Sequence, residues 1–103
     1  MQIHSNKDVE DFIESLEEQS IAKVLRTIDL LEKFGNRLGM PHSKKITRHI
    51  FELRIRGKQE VRIFYCFFKD DTHLLYGFLK KTQKTPIKEL RVAQKKYKEL
   101  TNL

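Results

Sequence analysis

Val9, Phe12, Ile13 and Leu16 stand at offsets 0, 3, 4 and 7, the spacing that gathers side chains on one face of an α-helix. It predicts a first helix from Asn6 to about Gln19. Asp8, Glu10 and Asp11 near its start suit the helix dipole, and Ser5 or Asn6 can cap it. From about Ser20 the spacing returns in Ile21, Val24, Leu25, Ile28 and Leu31; Phe34 closes the stripe and Gly35-Asn36 ends the helix. Two amphipathic helices with so short a joint form a helical hairpin.

From His49 the period drops to two. Phe51, Leu53 and Ile55 alternate with Glu52, Arg54 and Arg56, which reads as a strand with one polar side. Gly57-Lys58-Gln59 makes a turn. Val61 to Phe68 is nearly all β-branched or aromatic and reads as a central strand buried on both faces, with Arg62 the exception. Asp70-Asp71 turns the chain into a third strand, Leu74 to Leu79. Short joints make the three an antiparallel meander. Thr85 then caps a last helix with Pro86 at its first position, where a missing N–H costs nothing. Its stripe is Ile87, Leu90, Ala93, Tyr97 and Leu100. The expected fold is α+β: an N-terminal helical hairpin on a small antiparallel sheet, then a C-terminal helix.

With 103 residues, the chain holds one domain, residues 1–103, and one modest core. Hydrophobic residues at 39% exclude disorder by composition, and 4 Gly with 2 Pro exclude a collagenous chain. No apolar run approaches the roughly 18 residues of a membrane span, and no signal-peptide core stands at the N-terminus. Cys66, the lone cysteine, has no internal disulfide partner, and its apolar neighbours Tyr65 and Phe67 make it a small core residue rather than a nucleophile. A reducing, cytoplasmic setting and no membrane partner are expected. The net charge of +7 is divided unevenly: residues 1–40 carry −3 and residues 41–103 carry +10. Such an asymmetry suggests one face built for a polyanion.

The chemistry of metals and cofactors finds no purchase. His4, His42, His49 and His73 share no ligand spacing, no glycine-rich phosphate loop is present, and neither metal nor cofactor is expected. The cations are more informative. Arg54 and Arg56 leave the first meander strand on its polar side, and Arg62 begins the second, close to them across the hairpin. Lys80 and Lys81 leave the third strand beside the start of the second, followed by Lys84. Arg54, Arg62, Lys80, Lys81 and Lys84 are therefore expected to converge at one sheet edge. An arginine inside an apolar strand is costly unless paired, and Glu52 is the available partner if its role is structural.

Ile50-Phe-Glu-Leu-Arg54, Val61-Arg-Ile-Phe-Tyr65, Gly77-Phe-Leu-Lys-Lys-Thr-Gln-Lys-Thr-Pro86 and Ala93 together resemble the HigB-like, phage-derived branch of the RelE/ParE toxin superfamily. The resemblance covers nearly the whole chain. It implies a microbial RNase-like fold and the toxin of a type II toxin–antitoxin pair, which cuts mRNA on the ribosome. It also implies a helix-turn-helix antitoxin as partner, in a toxin–antitoxin hetero-oligomer. Arg54, Arg62 and Lys81 occupy matching catalytic positions; Lys80 joins them as a cation whose crowded neighbourhood lowers its pKa. Arg56, Lys84, Lys44 and Lys45 are the candidate RNA-binding residues. Relatives open with a full strand before the hairpin, whereas only Met1 to His4 precede it here, so that strand is expected to be short or missing. The position of the catalytic tyrosine of some relatives falls near Ile87, and Tyr97 sits in the apolar stripe as a core residue.

Metal-independent RNA cleavage needs the ribose 2′-OH in line with the adjacent phosphate, a proton acceptor and donor, and positive charge on the phosphorane. Guanidinium groups suit the last task. Lys80 or Lys81 can exchange the proton, with His73 a second candidate base. Two other classes remain open. One is a non-catalytic toxin like those of the ParE branch that act on gyrase; the other is a nucleic-acid-binding module that holds duplex DNA without cutting it.

Overall fold

The computed structural model describes residues 2–84 and 86–102. In chain order the elements are β1 (Ile3–His4), α1 (Lys7–Glu14), α2 (Glu18–Phe34), a 3-10 turn (Gly35–Arg37), β2 (Ser43–Lys45), β3 (Phe51–Ile55), β4 (Val61–Phe68), β5 (Asp71–Leu79) and α3 (Ile87–Thr101). The five strands form one sheet in the order β1-β5-β4-β3-β2. β3, β4 and β5 are the antiparallel meander expected from the period-two pattern, and β2 adds antiparallel to β3. Only β1 runs parallel, pairing Ile3 with Thr72 and His4 with His73.

Alternation along the strands divides the core in two. Leu53, Ile55, Val61, Ile63, Tyr65 and Leu74 meet Val9, Leu16, Val24 and Leu31 of the helical hairpin. Ile50, Phe64, Cys66, Leu75 and Phe78 face the other way, where Ala93 of α3 is buried among them. At a bulge Phe64 pairs with Tyr76 and Tyr65 with Leu74, which leaves Leu75 as the extra residue, so that the adjacent Leu75 and Tyr76 both pack on the α3 core. The sheet is thus sandwiched between the hairpin and α3. Cys66 is fully buried, and burial pushes its thiol pKa up to about 11, so it is an inert core residue.

Local chemistry explains the joints. Asn6 caps α1 by accepting from the Val9 N–H at 2.8 Å, while its amide donates to the Leu75 carbonyl at 3.2 Å, so one side chain both starts the helix and ties it to β5. Gly77 lets that helix lie close: a Cβ there would come 2.4 Å from Phe12 Cδ2. Lys69 and Asp70 make the β4–β5 turn with positive φ, and β5 begins at Asp71 rather than at Leu74.

Other boundaries differ from expectation. The first helix ends at Glu14 and the second starts at Glu18, because Ser15 caps the first with its N–H on Asp11 and Phe12 carbonyls. The short opening strand is present, as two residues. β2 is an added strand that no apolar period announced. Pro86 is the N-cap of α3 rather than its first residue. Thr85, expected to cap that helix, lies outside the described residues.

The β1–β5 contact has a pH dependence. His4 Nε2 lies 2.8 Å from Asp71 Oδ2, and the His4 ring stacks on His73 with centroids 4.7 Å apart. The His4 hydrogen bond, helped by the Gln2 N–H, holds the Asp71 carboxyl below its usual pKa. Burial, then the His4 charge, holds the His73 imidazole below 6.5, against the opposing pull of Asp71 and the Phe68 backbone. Both groups bind protons less readily when folded than when unfolded. Stability is therefore complete above about pH 6.5 and falls on acidification, first through His73 and then, below about pH 4, through Asp71. A melting temperature lower at pH 5 than at pH 7.5 is expected; one that rises on acidification contradicts this account of the edge.

Candidate functional site

In the β3–β4 register Arg54 stands directly opposite Arg62, on the sheet face that also carries Glu52. Two arginines side by side would repel, and Glu52 is what lets the sheet hold them. Its Oε1 lies 3.7 Å from Arg54 Nε and 3.9 Å from Arg62 Nε. Glu52 is 1% exposed and Arg62 2%, whereas the Arg54 side chain keeps 12% of its surface. The expected polar side of the first meander strand is therefore a covered ion cluster at Glu52 and Arg54, with Arg56 exposed beyond it. Arg62 is further fixed by donating from Nη1 to the Val61 carbonyl at 2.9 Å and from Nη2 to Glu60 Oε1 at 3.2 Å. The second Glu60 oxygen accepts the Gly57 N–H of the hairpin turn at 3.2 Å. Arg62 Nε, Arg54 Nε and Glu52 Oε2 are buried without a hydrogen-bond partner.

The end of β5 completes the site. The Lys80 N–H extends the pairing by donating to the Glu60 carbonyl at 2.8 Å, which delivers Lys80 and Lys81 to the start of β4. A cleft of about 430 Å³ opens there, with Arg54, Arg56, Arg62, Lys80 and Lys81 in its wall. Glu60, Thr82 and Gln83 complete the lining. Desolvation lowers the Lys80 pKa, as do Arg62, Arg54 and Lys44, with Glu52 opposing. Burial raises the Glu60 pKa, but the Gly57 N–H, Arg62 and Arg56 outweigh it, so its carboxyl sits below 4.5 and is ionised at neutral pH.

Of the sequence candidates, Arg54, Arg62, Lys80, Lys81 and Arg56 meet in this cleft. Lys44 pairs with Glu52 across β2–β3 and lies near enough to act on Lys80. Lys45 is not brought there: alternation turns it to the opposite face, its ammonium 5.9 Å from the centre of the Phe51 ring. Lys84 follows the cleft-lining segment without lining it. His73 is no base for this site, because it sits seven residues back along β5, about 23 Å from Lys80 at strand spacing. Tyr97 packs with the α3 core and stacks on His49 with centroids 5.1 Å apart, while Ile87 is 66% exposed.

Glu60 lines the cleft as well, though it is not among the residues the sequence singles out. A carboxylate two positions before Arg62 shares its strand face, and that spacing was the available signal. A second cavity, about 330 Å³, lies between α2 and β3, with Lys23, Arg26 and His42 in its lining. Arg54 and Arg56 line both cavities, so the basic surface continues past the sheet edge onto the hairpin side. Among the described residues no group of histidine, cysteine and carboxylate side chains is arranged to hold a metal ion.

The fold is thus a sheet between a helical hairpin and a C-terminal helix, with Arg54, Arg56, Arg62, Lys80 and Lys81 gathered in one cleft of the meander. Residues 11–98 match the phage-derived Gp49-like proteins (DUF891), and the chain belongs to that family, a RelE-like toxin family. No curated protein matches the chain. No helix among the described residues is long and apolar enough to cross a membrane.

Proposed function

We propose that this chain is the toxin of a HigB-like type II toxin–antitoxin pair, a metal-independent endoribonuclease that cuts mRNA on the ribosome. The observation that carries this reading is the convergence of Arg54, Arg56, Arg62, Lys80 and Lys81 on one cleft. In-line attack by a ribose 2′-OH breaks the P–O5′ bond and leaves a 2′,3′-cyclic phosphate and a 5′-hydroxyl. Arg62 and Arg54 are assigned to the charge that builds on the phosphorane, which a guanidinium grips through two oxygens. Lys80, with its lowered pKa, is assigned to proton exchange, and Lys81 and Arg56 to the flanking phosphates. Lys44 adds positive potential to the same face. A helix-turn-helix antitoxin is the partner in this reading, and the cytoplasm its setting.

Synthesis of this chain alone in a bacterium should stop protein synthesis within minutes while DNA synthesis continues. Pulse-labelling with an amino acid and with thymidine measures both. Undiminished amino-acid incorporation with the folded chain abundant would overturn the proposal. A second reading, a non-catalytic toxin, draws on the burial of Arg62 between Glu60 and Glu52, since a guanidinium locked for structure alone would look the same. It predicts the reverse pattern, with DNA synthesis failing first.

A further inference from the structure

Among the described residues Glu60 is the one carboxylate in the lining of a cleft with five cations. Its position is peculiar. One oxygen is spent on the Gly57 N–H at 3.2 Å, which leaves a single oxygen for Arg62 Nη2, also at 3.2 Å. The neighbouring Arg62 Nε has no hydrogen-bond partner; Glu52 Oε1 stands 3.9 Å from it, beyond hydrogen-bond reach. The guanidinium edge formed by Nε and Nη2 is thus half used. Of the two, Glu60 is the one within reach of solvent, with its side chain 38% exposed against 2% for Arg62.

We propose that Glu60 is the resting counter-ion of Arg62, and that an RNA phosphate takes its place. A phosphate presents two oxygens to one guanidinium edge where Glu60 presents one, so it satisfies the idle Nε as well as Nη2. Displaced Glu60 keeps its Gly57 hydrogen bond and needs to swing only its free oxygen away, so the hairpin turn stays formed. In the resting protein the carboxylate offsets a buried positive charge that would otherwise be left with remote partners. In the bound state it becomes a like charge beside the phosphate. Glu60 therefore acts as a positioning residue that holds Arg62 ready and sets a threshold for anion entry. This inference rests on the nucleic-acid reading of the cleft.

The test uses Glu60→Gln, which keeps the shape and an oxygen for the Gly57 N–H but removes the charge. Glu99→Gln is the control, the same charge change twelve residues beyond the start of α3, about 18 Å along the helix. The probe is a fluorescent single-stranded oligoribonucleotide with 2′-O-methyl riboses, which cannot be cut, titrated by anisotropy at fixed ionic strength. Glu60→Gln should bind about three- to tenfold tighter than wild type, and Glu99→Gln less than about twofold tighter. Inorganic phosphate should compete at correspondingly lower concentration against Glu60→Gln. Glu60→Ala, which also gives up the Gly57 hydrogen bond, should bind as tightly as Glu60→Gln while melting lower. With cleavable mRNA, Glu60→Gln should lower KM more than it changes kcat.

Wild-type binding that Glu60→Gln leaves unchanged or weakens overturns this proposal and leaves the nucleic-acid reading standing. Affinity that tracks melting temperature rather than charge across the three variants does the same, because it marks Glu60 as structural. Failure of every protein to bind the oligoribonucleotide overturns this proposal, while the ribonuclease reading stands or falls on cleavage of mRNA by translating ribosomes.

Discussion

Arg62→Ala should cut mRNA more slowly by on the order of 10²–10³-fold and should also melt at a lower temperature. Both effects have one origin. The guanidinium is 2% exposed and held at three sides: by the Val61 carbonyl, by Glu60, and at longer range by Glu52. Its removal deprives the phosphorane of a fixed charge, leaves Glu52 with one nearby cation instead of two, and opens a cavity. Such a loss costs about 3 kcal/mol, or roughly 10–25 °C for a domain of this size. From the sequence alone Arg62 presents a choice between catalysis and an ion pair; the geometry gives it the ion pair whatever else it does. A single alanine variant therefore confounds the two roles. Arg62→Lys separates them, because it keeps a positive charge near Glu52 while giving up the two-point grip. It should recover most of the stability and only part of the cleavage rate. Wild-type cleavage by Arg62→Ala, measured where the variant is folded, would remove Arg62 from the mechanism.

Glu52→Ala should be the most destabilising substitution at the site, by about 3–5 kcal/mol. The carboxylate is 1% exposed and sits between two arginine Nε atoms at 3.7 and 3.9 Å. Without it, Arg54 and Arg62 face each other across the β3–β4 pair with no buried counter-charge. Arg54 can turn toward solvent, but Arg62 cannot. Glu52→Leu combined with Arg62→Met should regain much of the loss, since a well-packed apolar pair replaces a buried ionic one at little cost. Denaturant unfolding of the single and double variants reads the coupling directly. A Glu52→Ala melting temperature within about 2 °C of wild type would show that the cluster is not held by this charge.

What could be read in the sequence follows from how each element is stabilised. Both hairpin helices and the β3–β4–β5 meander bury a periodic apolar stripe, so the pattern itself announces them. β2 has no such stripe. Ser43–Lys45 is a strand because its backbone finds β3 and because the Ser43 hydroxyl meets the buried Tyr65 hydroxyl, contacts that are remote in the chain. The convergence of Arg54, Arg62, Lys80 and Lys81 was legible, because antiparallel pairing fixes which strand ends are neighbours. Lys44 and Lys45 were not separable until β2 existed to turn them to opposite faces. Glu52 could be named from the sequence as a partner for Arg62, but its burial between two arginines depends on the depth of the sheet. Glu60 was harder still, because only the folded hairpin shows it, among the described residues, as the one carboxylate lining the cleft.

Chemistry at a phosphate is recorded in the ends of the cut RNA. Purified chain should be added to ribosomes translating a defined mRNA, and the fragments mapped and their termini identified by mass. Cuts are expected within translated codons, with a 2′,3′-cyclic phosphate on one fragment and a 5′-hydroxyl on the next, and far fewer of them with Arg62→Lys. Full-length mRNA after incubation with the folded wild-type chain, or fragments ending in a 3′-hydroxyl and a 5′-phosphate, would contradict the proposed cleavage.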